Sequence, residues 1–412
     1  MNLFYTLSLY IYRFFILIAS PFNKKARLWI RGRKHFPSVL KEKCREKDHV
    51  ICFHCASLGE FEQGKPLMEK IKSRYPHYTV MVTFFSPSGY EIRKNDPAAD
   101  IVIYLPLDTP RNVKKFLDIV RPEAFFFIKY EFWYNFMKGL ASRKIPFFFI
   151  SAIFRPDQPF FQPWGGWFRK QLQRATFFFV QNEESVSLLQ SAGIDNAEIA
   201  GDTRFDRVNE IATQQFELDF VTMFKEKSRL IVAGSTWQED EYLLARVMKK
   251  LPHHYKLLIA PHIIDQNHIK QIEACFGEFG TITYSACKDR DLKENRVLIL
   301  DTMGMLNKVY KYAFVSYVGG AFGKGLHNIL EAAVYGNPLF FGPKYGKFDE
   351  AVRLVDRGGG FSITEEDEMI NKINFFELNE QDYLTTCKLC SDFVETNLGA
   401  TDKILQRIQN LK

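Results

Sequence analysis

The sequence predicts an α/β protein: two doubly wound, Rossmann-like domains in tandem that face a cleft, preceded by a membrane-associated N-terminal helix. Three observations carry this. From His49 onward, short β-branched or aromatic runs alternate with helix-length segments, the pattern of a parallel sheet covered on both faces. At 412 residues the chain exceeds what one hydrophobic core organises, and its apolar runs fall into two sets either side of a more polar stretch, 207–228. Finally, an apolar segment at the start runs straight into a cluster of cations. The divisions that follow are 1–47 for the helix and basic segment, 48–207 for one domain and 208–412 for the next. The last helix is placed to pack back on the N-terminal domain.

Leu3 to Ser20 reads LFYTLSLYIYRFFILIAS, close to the ~20 residues a spanning helix needs, but with Arg13 near its centre. On insertion scales that arginine costs about 2.5–3.5 kcal/mol. The segment has no basic leader and no small-residue cleavage site, which argues against a signal peptide. Two readings remain: a tilted anchor, or an amphipathic helix lying among the headgroups. Lys24, Lys25, Arg27, Arg31, Arg33, Lys34, Lys41 and Lys43 follow, with no acidic residue before Glu42. Cations beside an apolar helix favour a cytoplasmic membrane face over nucleic acid, which would need basic and aromatic residues interleaved.

The first set of strand candidates is 50–56, 79–85, 101–105, 124–128, 146–151 and 176–181; the second is 229–235, 255–261, 296–301, 313–320 and 337–342. They are almost wholly apolar, as strands buried on both faces are. Seven cysteines suit a reducing compartment better than a disulfide framework. Cys52 and Cys55 point to opposite faces of one strand, and Cys387 and Cys390 lack further ligands, so the thiols read as buried and inert.

Ligands of doubly wound sheets bind outside the carboxyl ends of strands, which directs attention to four turns. VGGAFGKGLHNILEAAVYG (318–336) places glycines at 319, 320, 323 and 325 before a helix expected from near His327. Backbone N–H groups there would meet a phosphate, Lys324 and His327 would add charge or donors, and Glu331, a turn into the helix, would face ribose hydroxyls. A glycine-rich turn that only permits tight packing reads the same. In CASLGEFE (55–62), Glu60 is either a base at the end of the first strand or the partner of Ser57 in a capping box, whose dipole would lower its pKa. KYEFWYN (129–135) offers Glu131 beside aromatics that pack against a sugar or lipid, or simply face the core. In GSTWQEDE (234–241), Ser235 and Thr236 cap a helix or bind phosphate.

Together with ARLWIRGRK (26–34), QNEES (181–185), GDTRFD (201–206) and FGP (341–343), these stretches resemble, in order and over essentially the whole chain, the Kdo (3-deoxy-D-manno-octulosonic acid) transferases of lipopolysaccharide assembly. The resemblance implies a GT-B fold with an N-terminal acceptor domain and a C-terminal donor domain, and inverting transfer of Kdo from CMP-Kdo to the lipid A precursor, lipid IVA, at the cytoplasmic face of the inner membrane. It implies no cofactor and no essential metal. Carried over by position, Glu60 matches the catalytic base and Glu131 a second acidic residue. Gly234, Ser235, Thr236, Gly319, Gly320, Lys324, Gly325, His327, Asn328 and Glu331 match donor-binding elements. Arg204 and His262 are further candidates for the donor's phosphodiester and carboxylate. Lys129, Tyr134, Trp237 and His262 depart from the family pattern. A UDP-sugar 2-epimerase or another lipid glycosyltransferase on the same fold is the competing enzyme reading; a lipid-binding scaffold is the non-enzymatic one.

Overall fold

Strand formation follows the apolar runs closely. In the computed structural model, which describes residues 2–287 and 292–409, they form two parallel seven-stranded sheets in two units, Met1–Arg207 with Leu398–Lys412, and Val208–Asn397.

The first sheet comprises β1 (Val50–Cys55), β2 (Thr79–Phe84), β3 (Ile101–Tyr104), β4 (Ala124–Ile128), β5 (Phe147–Ala152), β6 (Phe177–Val180) and β7 (Ala197–Ile199), in the order β3-β2-β1-β4-β5-β6-β7. Alternation along each strand sends Cys52, Phe125, Phe127, Phe149 and Phe178 to one core and Phe53, Cys55, Phe126, Phe148 and Phe179 to the other. The register pairs Phe125 with Phe147, Phe126 with Phe148 and Phe127 with Phe149, and the rings of Phe149 and Phe178 stack with centroids 4.9 Å apart. Each such pair contributes about 0.5–1.5 kcal/mol beyond its area.

The second sheet comprises β8 (Arg229–Thr236), β9 (Tyr255–Pro261), β10 (Thr281–Thr283), β11 (Val297–Ile299), β12 (Val315–Val318), β13 (Leu339–Phe341) and β14 (Gly360–Ser362), in the order β10-β11-β9-β8-β12-β13-β14. Sequence reading missed β7, β10 and β14. Each is a three-residue edge strand mixing polar with apolar residues, too short for any period to register.

Strand order reverses between β1 and β4 in the first sheet and between β8 and β12 in the second. At such a switch point neighbouring connections leave on opposite faces and open a crevice at the carboxyl ends.

The apolar N-terminal segment is a helix, α1 (Asn2–Ala19), followed by α2 (Lys24–Arg33) and α3 (Phe36–Lys43). One stripe of α1 is tied to the first unit. Tyr5 donates to Asp108 at 2.7 Å, Trp167 donates to Asn2 at 3.0 Å, and Tyr12 stacks on Phe85. The other face leaves Leu3, Phe4, Phe14, Phe15 and Ile18 exposed. Asp108, itself buried, also accepts from the backbone N–H groups of Asn135 and Phe136, the first turn of the helix Tyr134–Ser142. One carboxylate thus joins α1 to the connection that leaves β4.

Among the cations after α1, Arg33 is not a surface charge as expected. Its guanidinium donates to the carbonyls of Leu105, Trp29 and Phe85 and lies 4.1 Å from the Trp29 ring centre, and burial lowers its pKa to about 9. Lys24, Lys25, Arg27, Arg31 and Lys34 are exposed.

The helix Ala400–Gln409 belongs to the first unit. Asp206 caps it, accepting from the N–H groups of Gly399 and Thr401 at 2.7 Å each. If the phenylalanine ladder holds the sheet together, Phe126→Ala should destabilise the first unit by about 3–5 kcal/mol in denaturant titration, because the parallel strands around it leave little room to collapse.

Candidate active site

Two separate constellations stand at the two switch points. In the first unit the turn after β1 enters α4 (Leu58–Arg74), and the connection after β4 carries Lys129 to Trp133. Glu60, on the first turn of α4, folds back so that Oε2 accepts from the N–H of Ser57 at 3.1 Å and from that of Ala56. The capping role foreseen for it is therefore real. Its expected electrostatic consequence is not: burial first, and the Glu131 carboxylate next, push the Glu60 carboxyl up to about 8 against the two N–H groups and Lys129. Desolvation outweighs the cap, so the group is poised near neutral pH, as a general base needs.

Glu131 is fixed by donors on its Oε2: Trp133 Nε1 at 2.6 Å and the His54 ring, whose Nε2 lies 3.2 Å away. Trp133 also packs on Phe85 with centroids 4.9 Å apart, and Tyr134 packs on Tyr5 and Trp167. These aromatics are therefore neither plain core nor a free platform: one orients the carboxylate and the other seats α1. Lys129, which precedes Tyr130 and Glu131, adopts φ +65°, a left-handed conformation costly for a side-chain-bearing residue and frequent where a site is preorganised.

The GDTRFD stretch braces this site. Asp202 accepts from Gln63 of α4 at 2.7 Å, and the Thr203 hydroxyl donates to the Gln63 carbonyl. Arg204, foreseen as a donor-binding cation, lies in this first unit with its guanidinium on Asp202 at 2.7 and 2.8 Å.

In the second unit, Gly234, Ser235 and Thr236 end β8, the glycine loop follows β12 and His262 follows β9. Asp240 knots them together. One carboxylate oxygen accepts from the N–H groups of Trp237 and Gly320 at 2.9 Å each, and the other from the Tyr317 hydroxyl at 2.7 Å. The tight-packing reading of the glycine loop holds at Gly319 and Gly320, and Gly234 at the end of β8 is as confined. A side chain on Gly234 would strike the Tyr310 hydroxyl, one on Gly319 the Ser235 carbonyl, and one on Gly320 the Gly325 carbonyl, 2.2 Å away, with φ already +95°.

Several expectations here need correction. The helix begins at Leu330, not near His327, and spans only Leu330–Ala333, so it has little dipole to offer an anion. His327 and Asn328 therefore lie in the loop, and the Asn328 side chain donates to Glu331 at 3.1 Å. The N–H groups of Gly323, Lys324 and Gly325 all converge on the Gly320 carbonyl, so the loop folds on itself more than it cradles. Thr236 neither caps nor faces outward: it is buried and its hydroxyl donates to Glu241 at 3.1 Å. Ser235 is held at φ +54°.

His327 brings no charge. Trp237 Nε1 donates to its Nε2 at 3.2 Å, and burial, with His262 beside it, lowers its pKa to about 4. His262 stacks between both, with centroids 4.8 Å from Trp237 and 4.4 Å from His327, and Lys324 lies 5.5 Å from the Trp237 ring centre.

Sequence reasoning missed His54, Asp240 and Asp108. His54 left a trace as the one basic residue in an apolar strand. Asp108 left none, since it acts on backbone distant in sequence, and Asp240 showed only its spacing three residues after Trp237, not its reach to Gly320 and Tyr317.

Residues 30–207 match the model of a family described as 3-deoxy-D-manno-octulosonic-acid transferase (kdotransferase). The 3-deoxy-D-manno-octulosonic acid transferase of Rickettsia felis is 26% identical over 371 residues, 87% of this chain and 78% of that protein. That of Aquifex aeolicus is 25% identical over 348 residues, 83% of this chain and 89% of its own length. Among solved structures, UDP-GlcNAc 2-epimerase from Neisseria meningitidis matches with a TM-score of 0.61 at 15% identity, covering 88% of this chain and 100% of that one. MurG from Acinetobacter baumannii matches at 0.56 and 12% identity, covering 88% and 99%. At these identities the structural matches speak for the fold, which is of the GT-B type.

The raised Glu60 pKa has a sign that can be measured. Its stabilising contribution is full below the ordinary carboxyl range and is lost as pH rises through about 8, because the buried group must then ionise. Glu60→Gln, which cannot ionise, should therefore melt above the parent at pH 9, and the gap should close as pH falls towards 4.

Proposed function

Since the chain is a relative of the 3-deoxy-D-manno-octulosonic acid transferases, we propose that it is a glycosyltransferase moving Kdo from CMP-Kdo onto the lipid A precursor, lipid IVA, with inversion and without a metal. What carries the reading is Glu60: a carboxyl at the switch point of the first sheet, held by backbone N–H groups and lifted to about 8, at the position that matches the family's base.

In this mechanism Glu60 takes the proton of an acceptor hydroxyl as its oxygen attacks the anomeric carbon of Kdo. The bond from that carbon to the CMP phosphate oxygen breaks, and CMP leaves with the electron pair. Only a base already in place is effective, and burial on a hydrogen-bonded turn keeps Glu60 in place. Glu131 sets the charge beside it. In the second unit, Lys324 supplies a cation for the donor's anionic groups. The stack of Trp237, His262 and His327, in which His327 is neutral, offers a ring face and donors, and Glu331 is the acceptor for ribose hydroxyls.

The acceptor's acyl chains and phosphates also give the N-terminal segment its purpose. Because α1 is tied to the first unit at Asn2, Tyr5 and Tyr12, we place it in the plane of the inner membrane on the cytoplasmic side. Its exposed apolar face then enters the lipid, and Lys24, Lys25 and Arg27 meet anionic headgroups.

Detergent-solubilised protein should release CMP from CMP-Kdo only when lipid IVA is present, and EDTA should leave the rate unchanged. Turnover of a UDP-sugar without lipid would favour the epimerase reading. Glu60→Gln should lower kcat by about 10²–10⁴-fold with donor affinity kept; normal turnover would remove the base assignment and support a scaffold. For the membrane, Phe14→Glu with Ile18→Glu should abolish sedimentation with phosphatidylcholine–phosphatidylglycerol vesicles. Lys24→Glu with Lys25→Glu should weaken it mainly at low salt.

A further inference from the structure

His54 is fully buried in β1, and neither the sequence motifs nor the reaction as written above uses it. Its ring Nδ1 faces two oxygens of Thr83, the carbonyl at 3.1 Å and the hydroxyl at 2.8 Å. The Thr83 hydroxyl gives its own hydrogen to the Phe53 carbonyl at 3.2 Å. Both Thr83 oxygens are therefore acceptors towards the imidazole, so Nδ1 carries a hydrogen. That fixes the problem at the other nitrogen. Nε2 lies 3.2 Å from Glu131 Oε2, an oxygen that already accepts from Trp133 Nε1. A neutral ring with its hydrogen on Nδ1 would point a lone pair at a carboxylate oxygen, which is repulsive. The contact is attractive only if one more proton sits between Nε2 and Oε2.

We propose that His54 is a positioning residue that holds this proton against Glu131, so that the carboxylate nearest Glu60 acts as half of a neutral pair and not as a free anion. The placement supports it from every side. Thr83 reaches the ring from β2, and the rings of Phe127 and Trp133 cover it at 6.3 and 5.7 Å. The ionisable groups facing the pair are Glu60 from α4, Lys129 from the end of β4 and the Cys55 thiol next along β1. No solvent reaches the ring to screen the interaction, so the state of this one proton is felt directly by Glu60. The inference rests on the reading of Glu60 as the base only for its activity readout.

The test is the pH dependence of kcat/KM for the full chain with CMP-Kdo and lipid acceptor, in the parent, His54→Gln, Glu131→Gln and the double variant. Glutamine keeps an N–H towards Glu131 but cannot carry the extra proton. His54→Gln should move the acid limb up by about one pH unit, because an uncompensated carboxylate now repels the Glu60 anion. Glu131→Gln should move it down, and the double variant should follow Glu131→Gln, since His54 acts through Glu131. A second measurement needs no activity: the pH at which the melting-temperature gap between the parent and Glu60→Gln stops widening should rise in the His54→Gln background. Should that variant fail to fold, His54→Asn, which keeps the bond to Thr83, carries the same comparison. An acid limb and a levelling-off pH of the melting gap that both stay at their parent values would overturn the proposal, as would a double variant shifted beyond Glu131→Gln. Loss of the base assignment shows itself differently, as normal turnover in Glu60→Gln.

Discussion

Two carboxyl groups held together where the strand order of the first sheet reverses set the terms for the rest of that unit. Glu60 and Glu131 arrive from opposite sides of the switch point, one on the helix after β1 and one on the connection after β4. Like charges in a poorly hydrated place repel, so every nearby feature serves to hold them or to offset the repulsion. The N–H groups of Ala56 and Ser57, Trp133 Nε1, the His54 ring and Lys129 are all turned to that end. The left-handed backbone at Lys129 and the brace from Asp202 and Thr203 to α4 are further consequences. Without them the helix and the connection would relax apart, and Glu60 would return to an ordinary carboxyl.

The second unit solves a different problem with one buried aspartate. Asp240 sits on the first turn of the helix after β8, yet it reaches the glycine loop after β12 through Gly320 and the strand itself through Tyr317. Burial pushes its pKa up, while the three donors around it favour the charged form. Because Gly234, Gly319 and Gly320 admit no side chain, the two turns can approach closely enough for one carboxylate to bind both. The glycines are thus required by the packing first; whatever the loop binds, it binds on a surface whose shape that packing decides.

Much of this was legible in the sequence, and the failures have physical reasons. Buried parallel strands announce themselves by composition, so the long runs of both sheets were found and only the three-residue edge strands were lost. Glu60 was legible as a cap or a base. It is a cap with a raised pKa, and sequence could not weigh dipole against burial and the charge of Glu131, because both come from residues that fold in from far along the chain. The same blindness made Arg33 look like a surface cation and Thr236 like a cap. Short helices mislead for another reason. LHNILEAAVYG has helical composition, but the Asn328 side chain accepts from the Leu330 N–H and Gly336 stands at φ +74°, so only one turn forms between them.

Trp237 and His262, in the second unit, are better understood together with His327 than one by one. Trp237 donates to His327, and His262 stacks on both rings, so each helps fix the placement of the others. An imidazole that accepts from an indole N–H and is held at a pKa of about 4 cannot serve as a cation. A second cationic ring pressed against it would be disfavoured for the same reason that the two carboxylates of the first unit repel. An anionic ligand brought to this stack would therefore have to meet Lys324, Nδ1–H of His327 and backbone donors, with the indole supplying a flat apolar face. Charge is minimised in one unit by neutral aromatic rings and in the other by a shared proton. Both follow from ionisable groups held close together at the carboxyl ends of a parallel sheet.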